Sequence, residues 1–278
     1  MIELGDLIRQ FSVSRVDENQ SKRILDDVAT EEPLEMRISY WFKDVQMFET
    51  LAVTMRTPGH DRELAAGFLL SEAVIRSRED LSDLRSLGPA PSNELLAELS
   101  RNVDFDAWKL SRSSVVNSSC GICGKRTRDA IASQIPGPIK GQLRVPRSLI
   151  SKLPELLRDR QKGFAKTGGL HAAALVNAAG EIEAVFEDIG RHNALDKLIG
   201  NCVLKNRLPL QNHLLFLSSR SSFELVQKAV MAGAPILATV GGPSSLAIET
   251  AREHSLTLIG FIRNAHFNIY SGDWRIDS

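Results

Sequence analysis

Two cysteines lie two residues apart in SSCGICGK (118–125), at Cys120 and Cys123. Such a pair can bind a metal, cycle between dithiol and disulfide, or hold a transferable sulfur atom as a persulfide. A structural zinc site needs four ligands, and the pair supplies two. The third cysteine, Cys202, falls on the apolar stripe of a predicted helix, as a buried core thiol would. His171 and His192 lack close ligand spacing to a partner. The zinc nucleobase deaminases use H-x-E followed by P-C-x-x-C; here His171 is followed by Ala172 and Ala173, and no proline precedes Cys120. No metal site is therefore expected. A thioredoxin-like pair follows the first strand of a small domain, whereas this one sits between Ser119 and Lys125, with Gly121 and Gly124 beside its cysteines. Lys125, Arg126 and Arg128 follow, and KRTRDAIASQI has the composition of a helix. Positive charge and a helix N-terminus both lower a thiol's pKa. A thiolate so activated can exchange disulfides or take the terminal sulfur of a donor persulfide by the same displacement. Spacing alone leaves these two open.

Other polar groups cluster between predicted strands and helices. EDIGRHN (187–193) contains Arg191 and His192, and an Asp–His pair there would serve as a general base. The alternative is a charge network capping the helix from Asn193. His171 follows Gly168-Gly169, so a flexible turn places it at the start of a strand. Asp196 and Lys197 are adjacent and face differently, so one of them is expected to anchor the loop. Ser221-x-x-Glu224 reads as a capping box, with Ser222 beside it. Gly241-Gly242-Pro243-Ser244-Ser245 opens the next helix. Helix N-termini at the carboxyl ends of strands bind anions, and Arg220 and Arg263 at strand ends could pair with phosphates bidentately. Ordinary capping with solvated arginines explains the same residues.

The elements that must position these groups follow from periodicity. Residues 1–30 are polar and weakly periodic, which predicts a loose arm. Met36-x-Ile38-x-Tyr40 and Leu51-x-Val53-x-Met55 alternate as half-buried strands do. After the turn Thr57-Pro58-Gly59-His60, Asp61 is expected to cap a packing helix, RELAAGFLLSEAVI. Residues 77–108, broken at Gly88-Pro89-Ala90-Pro91, read as an irregular, variable insert. Leu149, Leu153, Leu156 and Leu157 have helical spacing, with Pro154 marking a kink or a helix start near Ser151. HAAALVNAAGEIEAVFED reads as two strands about Ala179-Gly180. Leu195, Leu198, Ile199 and Cys202 then give a helix. LLFLSS, SFELVQKAVMAG, PILATV, SSLAIETARE and LTLIGFI complete a βαβαβ run, which implies a parallel sheet covered by helices.

The chain has 278 residues, 43% hydrophobic and 24% charged, with 34 basic and 34 acidic side chains. That balance argues against wholesale binding to nucleic acid or membrane. No apolar run approaches a membrane span, and the opening MIELGDLIRQFSVSRVDENQ lacks a signal-peptide core. A cytoplasmic protein is expected, in which a close cysteine pair is reactive or metal-bound rather than structural.

The segments TPGHDRELAAGFLLSEAVI (57–75), SSCGICGK (118–125), TGGLHAAAL (167–175), EDIGRHNALDKLIG (187–200), SSRSSFELVQKA (218–229) and TLIGFIRNAHFNIYSG (257–272) resemble the FdhD family of formate dehydrogenase accessory sulfurtransferases. They span most of residues 31–273, and EDIGRHNALDK joined to CGICG is highly specific. The resemblance implies an α/β fold: a cytidine-deaminase-like core with a mixed or parallel sheet flanked by helices, plus a smaller N-terminal α+β region. The expected division is an arm at 1–30, an α+β region at 31–145 carrying the cysteine loop (about 113–126), and the α/β domain at 146–278. It further implies a persulfide on Cys120, accepted from a cysteine desulfurase. The sulfur would pass to the bis-molybdopterin guanine dinucleotide molybdenum cofactor, bound as substrate, before that cofactor enters formate dehydrogenase. No permanent cofactor is implied, guanine nucleotides would mimic the substrate, and a homodimer is expected. The family's cofactor-binding stretch maps onto Gly260, Phe261, Ile262, Arg263, Asn264, Ala265 and His266; family members often carry Gly and Arg where Asn264, Ala265 and His266 stand. Cys123, being close, could resolve the persulfide. A non-catalytic cofactor chaperone and a dithiol redox protein are the competing classes.

Overall fold

Strong alternation makes β3 (Glu32–Phe42), in which Met36, Ile38 and Tyr40 are buried. The computed structural model describes residues 7–89, 92–105 and 137–278. Residues 8–29, expected to be a loose arm, instead form an antiparallel hairpin of β1 (Ile8–Val16) and β2 (Ser21–Ala29). Its register pairs Phe11 with Asp26 and Ser12 with Leu25, so apolar residues fall on both faces and no clean alternation shows in the sequence. β4 (Val45–Arg56) pairs with β3, but Val53 and Met55 are 59% and 48% exposed. The expected buried alternation there holds only for Leu51. β4 is an edge strand, and Val53 and Met55 stand outside the buried core.

The stretch read as an irregular insert contains β5 (Leu81–Ser86) and β6 (Glu94–Leu99). β6 slots between β3 and β5, parallel to β3. Leu95, Leu96 and Leu99 are all buried there, so a near-continuous apolar run, rather than an alternating one, marks this strand. Between β4 and β5 lies α1 (Asp61–Ser71), whose N-cap is His60 in the left-handed region, not Asp61. Asp61 accepts two hydrogen bonds from the buried Arg56 guanidinium, at 2.9 and 3.0 Å, which fixes the helix start to the end of β4.

A short β7 (Val145–Pro146) leads into α2 (Arg147–Arg158), which starts before Ser151 and carries Pro154 inside it. Then come α3 (Lys162–Thr167), β8 (His171–Asn177), β9 (Ile182–Asp188), α4 (Arg191–Leu204) and β10 (His213–Leu217). The chain ends with α5 (Phe223–Met231), β11 (Ile236–Thr239), α6 (Ser245–Glu253), β12 (Thr257–Arg263), β13 (His266–Ser271) and β14 (Ile276–Asp277), the last pairing with β7. The main sheet has the order β13-β12-β11-β10-β8-β9. Its β10-β11-β12 centre is parallel, as the βαβαβ pattern requires, and the outer pairs are antiparallel.

One face of this sheet packs Ala173, Leu175, Leu215, Leu237 and Leu258 into a core shared with α1, α4, β3 and β6. The other packs Ala174, Val176, Phe216 and Ile259 against α2. The N-terminal region therefore shares its core with the α/β sheet. The contact is closest where α1 crosses α4. A Cβ on Gly67 would lie 1.9 Å from the Asp196 carbonyl oxygen, and one on Gly200 would lie 1.7 Å from that of Glu63. Among the described residues, no helix is long and apolar enough to cross a membrane.

Candidate functional site at the sheet rim

The carboxyl ends of β9, β10, β11 and β12 and the amino end of β8 meet at one rim, because β8 runs antiparallel to β10. Helices α4, α5 and α6 begin there. The rim thus gathers His171, Arg191, His192, Arg220, Ser221, Ser222 and the Gly260–His266 stretch, which the sequence scatters over nearly a hundred residues. Cys120, Cys123 and the helix expected after them lie outside the described residues.

The EDIGRHN segment divides into buried structural groups and outward ones. Asp188 is fully buried and forms an ion pair with the equally buried Lys197 at 2.6 Å. Its carboxylate also accepts the backbone N–H groups of Thr57 at 3.2 Å and Gly190 at 2.8 Å. Lys197 donates to the Thr57 carbonyl at 2.8 Å, and the Asn193 amide donates to Met55 and Asp188. This network locks the rim onto the β4–α1 turn, so Asp188 is committed to Lys197 and is not a base partner for His192. Asp196, on another face of α4, takes Lys228 at 2.8 Å and the Ser71 hydroxyl at 2.9 Å. Both adjacent residues are therefore anchors.

His192 and His171 face the rim itself. His192 lies 3.4 Å from the Ser222 hydroxyl and 3.8 Å from the Glu224 carboxylate. Its proximity pulls the Glu224 carboxyl down to about 2. His171 is half-buried, and burial together with the nearby Arg191 lowers its pKa below the ordinary histidine value.

The two loops after β10 and β11 are stitched together. Ser221 is buried, its hydroxyl 3.4 Å from that of Thr239, and it forms an isolated parallel bridge with Pro243. The N-cap of α5 is Ser222, without a side-chain cap bond, so the expected capping box at Ser221 does not form. Ser244 caps α6 by accepting the Ala247 N–H at 3.2 Å. Close approach demands small residues here: a Cβ on Gly241 would meet Arg220, and one on Gly242 would meet the Phe261 ring at 2.5 Å.

The C-terminal stretch forms a bulge and a tight hairpin. Phe261 has φ 54° and donates its N–H to the Gly241 carbonyl rather than to β13. Asn264 and Ala265 have φ 49° and 63°, the two positive values of a type I′ turn, closed by the Arg263–His266 pair. Ile262 is buried in the core facing α2, while Phe261, Arg263, Asn264, Ala265 and His266 are exposed. Arg191, Arg220 and Arg263 have no carboxylate partner among the described residues. A cleft of about 370 Å³ opens beside His171, bounded by Leu157, Arg158, Gln161, Phe164 and Ser218. Apart from Leu157, a core leucine, the sequence singled out none of these five. Helix α3 is too short for periodicity to reveal, and only Gly168-Gly169 on its rim had drawn notice.

Comparison with known proteins places the chain in a group. The sequence profile of the FdhD/NarQ family matches residues 29–277. The chain belongs to the FdhD/NarQ family. It is 39% identical to the Sulfur carrier protein FdhD of Saccharolobus solfataricus, covering 98% of this chain and 100% of that one. It is 41% identical to the protein of that name from Streptomyces coelicolor, covering 98% and 97%. The fold matches the crystal structure of a candidate formate dehydrogenase accessory protein from Desulfotalea psychrophila. That match has a TM-score of 0.74 at 20% identity, over 98% of this chain and 100% of the other. At that identity the likeness concerns the FdhD/NarQ fold alone: a mixed α/β molecule with several sheets flanked by helices.

Proposed function

We propose that this chain is a sulfur carrier in the maturation of formate dehydrogenase. The observation that carries this reading is near-full-length identity of about 40% to proteins named sulfur carrier protein FdhD, in a chain that holds the CGICG pair. In the finer reading, the Cys120 thiolate attacks the terminal sulfur of a cysteine desulfurase persulfide, and the desulfurase cysteine leaves as thiolate. The sulfur then passes to the bis-molybdopterin guanine dinucleotide molybdenum cofactor. Cys123 would release it by attacking the inner sulfur of the Cys120 persulfide. Sulfide departs toward molybdenum, a Cys120–Cys123 disulfide forms, and a dithiol reductant restores the pair.

The exposed arginines and helix starts at the rim support a polyanionic substrate there. Gly260–His266 would grip it from the bulged end of β12, with His171, Arg191, His192, Arg220 and Ser222 around it. Ser221, being buried, would contribute backbone rather than hydroxyl. The cytidine-deaminase-like description of the core, the homodimer and the cytoplasmic setting belong to the same reading.

The test is intact-protein mass after incubation with a cysteine desulfurase and cysteine. A reductant-sensitive gain of one sulfur, lost in Cys120→Ala, is expected. No gain alongside intact guanine-nucleotide binding points to a cofactor chaperone instead. If Cys123→Ala retained full formate dehydrogenase activation, the resolving role would be wrong.

A further inference from the structure

β4 leaves one edge of its sheet open: among the described residues it pairs only with β3. Natural edge strands are blunted with Lys, Pro, inward charges or bulges. Between Val45 and Met55, β4 has no Lys or Pro, Glu49 as its single charge, and one bulge. Five of its apolar side chains are exposed, Val45, Met47, Phe48, Val53 and Met55, a third of the large apolar residues exposed among the described ones. Monomers rarely leave such a run uncovered.

The phase of the backbone says what can cover it. Glu35 gives its N–H to the Asn93 carbonyl, on the side away from β4. Residues directly opposite in an antiparallel pair point their polar groups both toward each other or both away. Val53, opposite Glu35, therefore points its N–H and C=O out of the open edge. Ser39 lies in the same phase of β3 as Glu35, so Phe48, opposite Ser39, points outward too. Between Phe48 and Val53, β4 carries one extra residue, Leu51, which has no partner on β3. The two outward groups are thus five residues apart. In a regular strand, residues five apart point opposite ways, so a regular strand matches one of them and misses the other. An antiparallel strand with the same bulge matches both.

β4 of a second copy is such a strand. We propose that two copies of this chain join edge to edge through β4, with Phe48 of each opposite the partner's Val53. Met47 then faces the partner's Thr54 and Glu49 faces the partner's Ala52, so no like charges meet. An aromatic ring is set against a β-branched side chain twice, a favourable cross-strand pair. The Asn193 amide already donates to the Met55 carbonyl, so the ladder ends there. Past that point the partner's Lys43–Asp44 turn runs toward the start of α4, which brings each copy to the other's rim. This interface deepens the homodimer of the reading above, resting on that part alone and not on sulfur carriage.

The experiment is sedimentation equilibrium of the full chain, with the persulfide mass assay alongside. Wild type is compared with Phe48→Glu, Val53→Lys and the double variant Phe48→Glu/Val53→Lys. Wild type should be a dimer. Each single variant should weaken dimerisation about a hundredfold or more, because an unpaired charge is buried twice in the interface. The double variant sets opposite charges face to face and should dimerise again. Both side chains are exposed in the single chain, so the far-UV circular dichroism of every variant should match wild type. A dimer that persists in both single variants overturns the proposal, as does dissociation that the double variant does not rescue. A monomeric wild type that loads persulfide overturns the interface and leaves sulfur carriage standing. A rescued dimer that loads no persulfide bears out the interface and overturns the carrier reading alone.

Discussion

At the scale of single residues, the densest motif splits by burial. Asp188 and Lys197 are 0% and 1% exposed and hold each other, so removing one leaves an uncompensated buried charge. Asp188→Ala is expected to lower unfolding stability by about 3–5 kcal/mol in urea denaturation. The exposed Arg85–Glu98 pair should cost less than about 1 kcal/mol when broken. Glu224 behaves differently, because its carboxyl titrates near 2 in the folded protein beside His192. Its folded pKa lies below the unfolded one, so its contribution is present above about pH 4.5 and lost as pH falls toward 2. The stability difference between wild type and Glu224→Gln should therefore be clear at pH 5 and close between pH 4.5 and 2. Equal differences across that range would show that the His192 contact contributes nothing.

At the scale of elements, two glycines and one alanine set the geometry. Alanine in a helix interior is normally better than glycine by about 1 kcal/mol. At Gly67 and Gly200 the added carbon would sit under 2 Å from a backbone oxygen of the facing helix, which cannot yield as a side chain would. Overpacking of this kind costs about 1–3 kcal/mol or more, so either glycine changed to alanine should lower the urea midpoint despite the propensity gain. The β12–β13 turn predicts the opposite sign. Ala265 stands at φ 63°, where an L side chain is strained by about 1–2 kcal/mol and glycine is not. Ala265→Gly should raise stability by about 1 kcal/mol and leave the hairpin register, read from amide exchange, unchanged.

At the scale of the whole molecule, the segment 146–278 shares its core with the N-terminal region. Its α4 buries Leu195, Leu198 and Ile199 in a core completed by Leu64, Leu69 and Leu70 of α1 and by Met36 and Ile38 of β3. Its Lys197 needs the Thr57 carbonyl. Expressed alone, this segment should aggregate or show circular dichroism without a cooperative melt. A sharp two-state transition would show that the α/β sheet folds independently.

The βαβαβ run of residues 213–263 was legible because helix and strand periods are local, and each buried face repeats within a dozen residues. The family resemblance was legible for the same reason: its motifs are contiguous. What the residues of the rim do was less so. Asp188 and His192 are four positions apart, yet one is locked inside by Lys197 and Thr57 while the other faces Glu224. That division depends on α1 packing across α4, a contact between segments more than a hundred residues apart. The same holds for β6, which no alternation marks and which finds its place only beside β3. Sequence by itself determined the βαβαβ elements and the family, and it marked the cysteine pair, because those are carried by neighbours along the chain. Only the tertiary structure decided which polar groups are spent on holding the fold and which remain free at the rim, because burial and partners are properties of space.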